Sequence, residues 1–269
     1  MDWRLGLHII LVLLISGACT KGEKKHAAEV YGHAGGGISK GRYIYPPNSA
    51  ESISYAFDVL NADGVEVDVR LTKDSSMVLF HDSGLELETD GVGCVEQYTL
   101  AELKELNYAD RYEIITLTEA LHLSSERNRS LFLDLKTVAE CGIGSISEEW
   151  VNKGFEEVEE FLENHPLPPI TVNSKSLSVL SWIDGDVFLK SFETENIEVG
   201  IEQYQAGNID KLTVRLDWIN SEQANLLRDL QIPFCIFGIK TQKEIREAYG
   251  LLPTEMISDN VAFTKKIMR

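Results

Sequence analysis

The chain has 269 residues, with 43 acidic against 25 basic side chains and a formal net charge of −18 at neutral pH. So negative a molecule is repelled by nucleic-acid backbones and anionic bilayers, so neither is expected as a general partner. The length fits one domain around a full hydrophobic core, and no internal repeat or low-complexity stretch divides it.

The amino terminus carries Arg4, a nearly unbroken apolar run from Leu5 to Ile15, and then Ser16-Gly17-Ala18-Cys19. A short apolar core with a small-residue exit predicts a secretory signal over residues 1–18, too short to span a bilayer as a helix. Its end resembles the cleavage site of bacterial lipoproteins, although Ser16 stands where such sites usually carry Leu. That resemblance makes Cys19 the expected lipidated residue and residues 19–28 a polar tether. An exported lipoprotein on the periplasmic or cell-surface side of a membrane is implied, held there by its anchor alone.

From residue 29 onward, strand-like and helix-like segments alternate. Glu29–His33 reads as a strand running into Ala34-Gly35-Gly36-Gly37, a loop whose backbone can approach a ligand closely. Asn48 or Ser49 caps a helix expected through about Ala62, with Ile53, Ala56, Phe57 and Leu60 at helical spacing. Thr99-Leu-Ala-Glu and Thr116-Leu-Thr-Glu each carry the capping-box pattern, the second opening a helix to about Glu126. Leu131–Lys136 is a strand, and further strands fall near 169–173, 186–191, 211–216, 233–238 and 255–258. Such alternation predicts an α/β fold with a parallel sheet.

The most informative stretch is Gly64–Asp82. Val65, Val67, Val69 and Leu71 alternate with Glu66, Asp68 and Arg70, so the charged side chains share one strand face. Carboxylates two positions apart on a strand lie roughly 7 Å apart at Cα. Both can therefore reach one hard cation through oxygens at about 2.1–2.5 Å. Thr72–Ser76 reads as a turn, and Met77–Phe80 as a short strand ending on His81-Asp82, where a histidine is placed for proton transfer. A solvated strand with a loop histidine is the plainer account of the same residues.

The pattern Glu66-x-Asp68-x-Arg70-x-Thr72-x-Asp74, with His81 fifteen residues after the Glu, resembles the glycerophosphodiester phosphodiesterase family. The wider superfamily includes phosphatidylinositol-specific phospholipases C and sphingomyelinase D-like enzymes. The likeness is strongest over residues 30–136. It implies a single-domain (β/α)8 TIM barrel over residues 29–269, in preference to an open doubly wound sheet. The nine candidate strands exceed eight barrel places, so one is expected to be peripheral. In such a barrel, functional groups gather at the carboxyl ends of strands, where His33, Asp68, His81 and Lys136 fall.

The resemblance implies His33 and His81 as the catalytic pair, and Glu66, Asp68 and Asp134 as ligands of one divalent cation. Three hard oxygen donors without a nearby Cys favour Ca²⁺ or Mg²⁺. Lys136 would lie beside the substrate phosphate. The family more often has Glu at the place of Asp134, whereas its sphingomyelinase D-like branch has Asp. Two further departures stand out: Ala34 replaces an Arg that usually follows the first His, and Pro47-Asn48-Ser49 replaces a Glu-Asn-Thr motif. Arg70 is the expected substitute for the missing Arg, since a guanidinium grips two phosphate oxygens at once; a solvated strand-end arginine is the alternative.

The expected function is a metal-dependent phosphodiesterase using His/His acid–base catalysis. Its partner would be a small-molecule or lipid-derived phosphodiester, with the oligomeric state left open. Two alternatives are a lyase forming a cyclic phosphate from an intact lipid, and a non-catalytic phosphodiester-binding lipoprotein. Loops such as 34–47 mix Gly, Lys, Arg, Tyr and Pro and suggest no apolar rim for an intact lipid. Cys94 and Cys141 fall in loops on the active face, so an export-compartment disulfide is expected between them, while Cys235 reads as a core residue. Trp218 is a candidate pocket-lining residue and Asp259 a structural one.

Overall fold

The computed structural model describes residues 27–38, 43–138, 141 and 146–269. The expected signal segment, Cys19 and all but the end of the tether lie outside the described residues. Ala28, at that end, is already buried against the core. Among the described residues, no helix is long and apolar enough to cross a membrane.

Nine strands form one sheet: β1 Glu29–Gly32, β2 Gly64–Leu71, β3 Met77–Leu79, β4 Ser130–Leu135, β5 Thr171–Ser174, β6 Leu189–Glu193, β7 Lys211–Arg215, β8 Phe234–Ile239 and β9 Glu255–Ser258. Eight run parallel and close on themselves, since β1 pairs with both β9 and β2. The ninth, β3, runs antiparallel to β2 outside the ring, with Val69 opposite Leu79. The molecule is a single-domain (β/α)8 barrel, and β3 is the peripheral segment. Its direction follows from the short turn before it, where Ser75 adopts a left-handed φ of 72°. A connection that short can only reverse the chain.

Helices α1 Ala50–Asp58, α2 Leu100–Leu103, α3 Leu117–Ser125, α4 Glu148–Asn164, α5 Leu177–Trp182, α6 Ile197–Gln205, α7 Ser221–Asp229, α8 Gln242–Gly250 and α9 Val261–Ile267 lie between or after the strands. Ser49 caps α1 by accepting from the Ser52 amide, and α2 and α3 both open with the expected capping boxes. Helix α1 stops at Asp58, short of the expected Ala62. Asn61 turns left-handed (φ 53°) and the Asp63 amide bonds to the Val30 carbonyl, delivering the chain to β2.

Strand β2 is buried along its whole length. Its valines pack outward with Ile53, Leu117, Leu131 and Phe155 in the strand–helix layer. Inside the ring, Tyr31, Phe132, Cys235 and Ile257 form a separate apolar plug, so Cys235 is a core residue. Below it the buried Lys211 pairs with Glu255 (2.5 Å) and Thr171 (3.1 Å). The barrel is closed at that end, and its polar mouth lies at the carboxyl ends of the strands.

Candidate active site

Register brings the acidic residues together. Asp68 on β2 is directly paired with Asp134 on β4, and Asp134 with Asn173 on β5. Glu66, one inward position before Asp68, completes a triad whose oxygens all lie within 4.8 Å of one another. The described structure holds these carboxylates by specific contacts. The Ala34 amide donates to Glu66 Oε2 (2.9 Å), and the Gly35 amide to the Glu66 carbonyl (3.2 Å). Ala34 achieves this in a left-handed conformation (φ 47°), followed by Gly35 at 96°. A Cβ on Gly35 would meet Ser52 Oγ at 2.5 Å, so the loop requires glycine there.

Asp68 is gripped by Asn48, whose Nδ2 donates to Oδ2 (2.8 Å) and whose Oδ1 accepts the Asp68 amide (3.0 Å). Lys136 spans the cluster from just beyond β4, donating to Asp68 Oδ1 (2.8 Å) and Asp134 Oδ2 (2.6 Å). Burial pushes the Asp68 carboxyl up, but the charges of Lys136 and His81 and the bonds from Lys136 and Asn48 bring it below its ordinary range. Burial and then repulsion by Asp68 raise Glu66 to about 8, so Glu66 is the group that takes up a proton when no cation is bound. Three crowded oxygen donors bridged by one ammonium suit a hard divalent cation. Glu66, Asp68 and Asp134 are the residues that would hold it.

Both histidines border this cluster, and each has its Nδ1 on a carboxylate. His33 bonds to Asp259 Oδ1 (2.5 Å), a contact set by the pairing of Gly32 with Ser258 one residue earlier. His81 bonds to Asp82 Oδ1 (2.6 Å). The arrangement leaves each Nε2 available for proton transfer. Burial lowers the His33 pKa, but the Asp259 bond and then the charges of Glu66, Asp259 and Asp68 outweigh it and raise it to about 9.

Arg70 is not available as the expected phosphate grip. Its Nε and Nη2 donate to the His81 carbonyl (3.0 and 2.9 Å), and its Nη1 to Glu96 Oε1 (2.7 Å) and the Val138 carbonyl (3.2 Å). The side chain is buried with Glu96. Arg70 shares the inward face of β2 with Glu66 and Asp68, but at the strand end its reach carries it sideways under His81. There its contacts hold the His81 backbone. Glu96 sits two residues after Cys94, which forms a disulfide with Cys141, their Cα atoms 5.9 Å apart.

Several contributors went unrecognised in the sequence. Asn173 donates to Asp134 Oδ1 (3.1 Å) and lies 3.4 Å from Glu193 Oε2, while its own Oδ1 is buried without a partner among the described residues. Burial and then Asp134 raise the Glu193 pKa. Both residues alternate inward on their strands, which was the available signal. Trp218 packs edge-on against Phe237 (5.8 Å) and under Arg215 (5.8 Å). The loops also expose an apolar rim that the sequence did not suggest: Tyr43, Ile44 and Leu87 are 51%, 67% and 84% exposed.

The barrel is matched by known proteins. The model of the glycerophosphoryl diester phosphodiesterase family matches residues 39–226. The chain belongs to that family, one of phosphoric diester hydrolases. A glycerophosphodiester phosphodiesterase of Caldanaerobacter subterraneus subsp. tengcongensis is 32% identical over 99 residues, 34% of this chain and 40% of that relative. Among solved structures, an Oleispira antarctica phosphodiesterase in complex with the product sn-glycerol-3-phosphate superposes with a TM-score of 0.74. It is 23% identical, over 88% of this chain and 95% of that one. A Thermotoga maritima glycerophosphodiester phosphodiesterase gives a TM-score of 0.70 at 21% identity, over 90% and 99%. At these identities the two structures share the fold.

Proposed function

We propose that this chain hydrolyses glycerophosphodiesters or related head-group diesters, with His33 and His81 as the acid–base pair. The observation that carries this reading is the pair of carboxylate-held imidazoles flanking one three-carboxylate cluster at the barrel mouth. A divalent cation on Glu66, Asp68 and Asp134 would supply electrostatic stabilisation of the charge that grows on the phosphoryl oxygens. His33, favoured as the imidazolium by Asp259, protonates the leaving alkoxide as its bond to phosphorus breaks. His81 removes a proton from the attacking water as the new oxygen–phosphorus bond forms. Lys136 supports the phosphoryl charge from beside Asp68. The solved relative that holds sn-glycerol-3-phosphate supports a glycerophosphodiester as the substrate type.

A second reading, a lyase that closes a substrate hydroxyl onto phosphorus, is favoured by the exposed Tyr43, Ile44 and Leu87, which suit an amphiphilic lipid. Product analysis separates the two, since hydrolysis incorporates oxygen from labelled water and cyclisation does not. Residues 20–269 incubated with a panel of phosphodiesters, with and without chelator, test the main reading. Replacing either His33 or His81 with Asn should lower the rate by roughly 10²–10⁴-fold with substrate still bound. Parent rates in both variants would overturn the assignment.

Export and lipidation at Cys19 belong to the same proposal. Two or more acyl chains would hold the acidic domain at a membrane. Mass spectrometry of the mature protein should find lipid on Cys19, and an unmodified, freely soluble chain would refute the anchor.

A further inference from the structure

Beside the carboxylate cluster lies a cavity of about 910 Å³, whose outer edge is the exposed rim of Tyr43, Ile44 and Leu87. It adjoins the site through two links. Pro46 lines it two residues ahead of Asn48, which grips Asp68, and the Tyr108 hydroxyl in its wall donates to the Pro47 carbonyl (2.6 Å). A third wall residue, Glu88, is close enough to Asp82, His81 and Asp68 to feel their charges. A substituent on a phosphodiester seated at the cluster would therefore find this cavity next to it.

The walls combine aromatic rings with negative charge: Tyr43 and Tyr112 stand with Glu88 and Asp110. Arg111, the one basic residue lining it among the described residues, is turned onto its neighbour. Its guanidinium lies 5.2 Å over the Tyr112 ring and donates to the Tyr112 hydroxyl (3.0 Å). Burial and then repulsion from Asp82 and Asp68 raise the Glu88 pKa, with His81 opposing them, as for a carboxylate in a part-dry site crowded by other carboxylates. A head group with a fixed positive charge would relieve that repulsion and meet the exposed Tyr43 ring, the Tyr112 face being held by Arg111. A neutral polyol head group would gain neither, and an anionic one would be repelled.

We infer that this cavity is a head-group subsite selecting phosphodiesters whose alcohol carries an ammonium group, quaternary or primary. The inference rests on the phosphodiesterase reading. Its test compares kcat/KM of the metal-loaded protein for glycerophosphocholine and glycerophosphoethanolamine with that for glycerophosphoglycerol and glycerophosphoinositol. The cationic pair should be preferred, and Glu88→Gln and Asp110→Asn should each narrow the preference by about 2- to 5-fold. No preference in the parent, or an undiminished one in both variants, would overturn the subsite while leaving the hydrolase reading intact. Calorimetric titration with choline chloride tests the cavity without turnover. Choline binding weakened by Glu88→Gln supports the subsite even if no diester is cleaved, and absence of choline binding in the parent counts against it.

Discussion

Arg70 holds the backbone of His81 in place, its Nε and Nη2 both donating to the His81 carbonyl while Nη1 is anchored by Glu96. Strand β2 thus supplies two of the three clustered carboxylates and, one inward position further on, the support of a histidine that follows β3. The imidazole is steered through its backbone by Arg70 and through its Nδ1 by Asp82.

Arg70→Lys should therefore act on stability and turnover more than on phosphate affinity. A lysine cannot reproduce the fork on the His81 carbonyl and leaves Glu96 buried beside a misplaced charge. Breaking one partner of a buried pair costs about 3–5 kcal/mol. Thermal unfolding should shift down and kcat should fall, with KM nearly unchanged. A variant of parent stability whose KM alone rises would return Arg70 to the phosphate.

How much of this was legible in advance depends on the range of each contact. That Glu66 and Asp68 share a face could be read because strand periodicity is local, and that His33, His81 and Lys136 fall at the barrel mouth because they end apolar strand segments. The inward face of Arg70 follows from strand alternation, but its contacts do not. Nothing near it in sequence says that a guanidinium meets Glu96, 26 residues on, in place of solvent. Asp259 lies 226 residues from His33 and becomes its partner only because β9 closes the ring against β1. In Pro47-Asn48-Ser49 the departure from the family motif is the carboxylate missing at Pro47; the grip of Asn48 on Asp68 depends on a left-handed backbone (φ 60°) that no spacing announces. The apolar rim escaped notice because Ile44 and Leu87 come from different loops.

The Cys94–Cys141 bond closes a loop of 47 residues next to the Arg70–Glu96 pair. By restricting the unfolded chain it should contribute about 4 kcal/mol. Under denaturing, non-reducing conditions only Cys235 of these three cysteines should label. Reduction should lower the unfolding temperature. Labelling of both Cys94 and Cys141 without reductant would remove the bridge from the account.

Cation binding should be coupled to proton release. Glu66, raised to about 8, is largely protonated at neutral pH until a cation competes for it. Apparent affinity for Ca²⁺ or Mg²⁺ should therefore rise with pH up to about 8 and level off above. Titration calorimetry in buffers of different ionisation enthalpy should count a proton released near pH 7, and Glu66→Gln should abolish both release and tight binding. Exhaustive chelation should remove turnover. Full activity in chelator, or pH-independent affinity between 6 and 8, would show that this triad does not hold the ion.

The His33–Asp259 contact carries a pH signature of its own. The folded pKa is raised to about 9 from an ordinary value of 6.5, so the imidazolium is favoured by folding. Its stabilising contribution is then fully present below pH 6.5 and is lost as pH climbs through about 9. Asp259→Asn removes the bond and one of the charges that raise the pKa, so the stability gap between parent and variant should be widest below pH 6.5 and close towards pH 9. By NMR, the His33 ring should titrate near 9 in the cation-free parent and at lower pH in Asp259→Asn. A cation on Glu66 and Asp68 would weaken two further contributions and move the same titration down, bringing the acid nearer to neutrality. If His33 is the acid, the alkaline limb of the rate profile should follow these shifts. A His33 ring that titrates near 6.5 in the cation-free parent, unmoved by Asp259→Asn, would leave Asp259 as packing alone and take the acid role from His33.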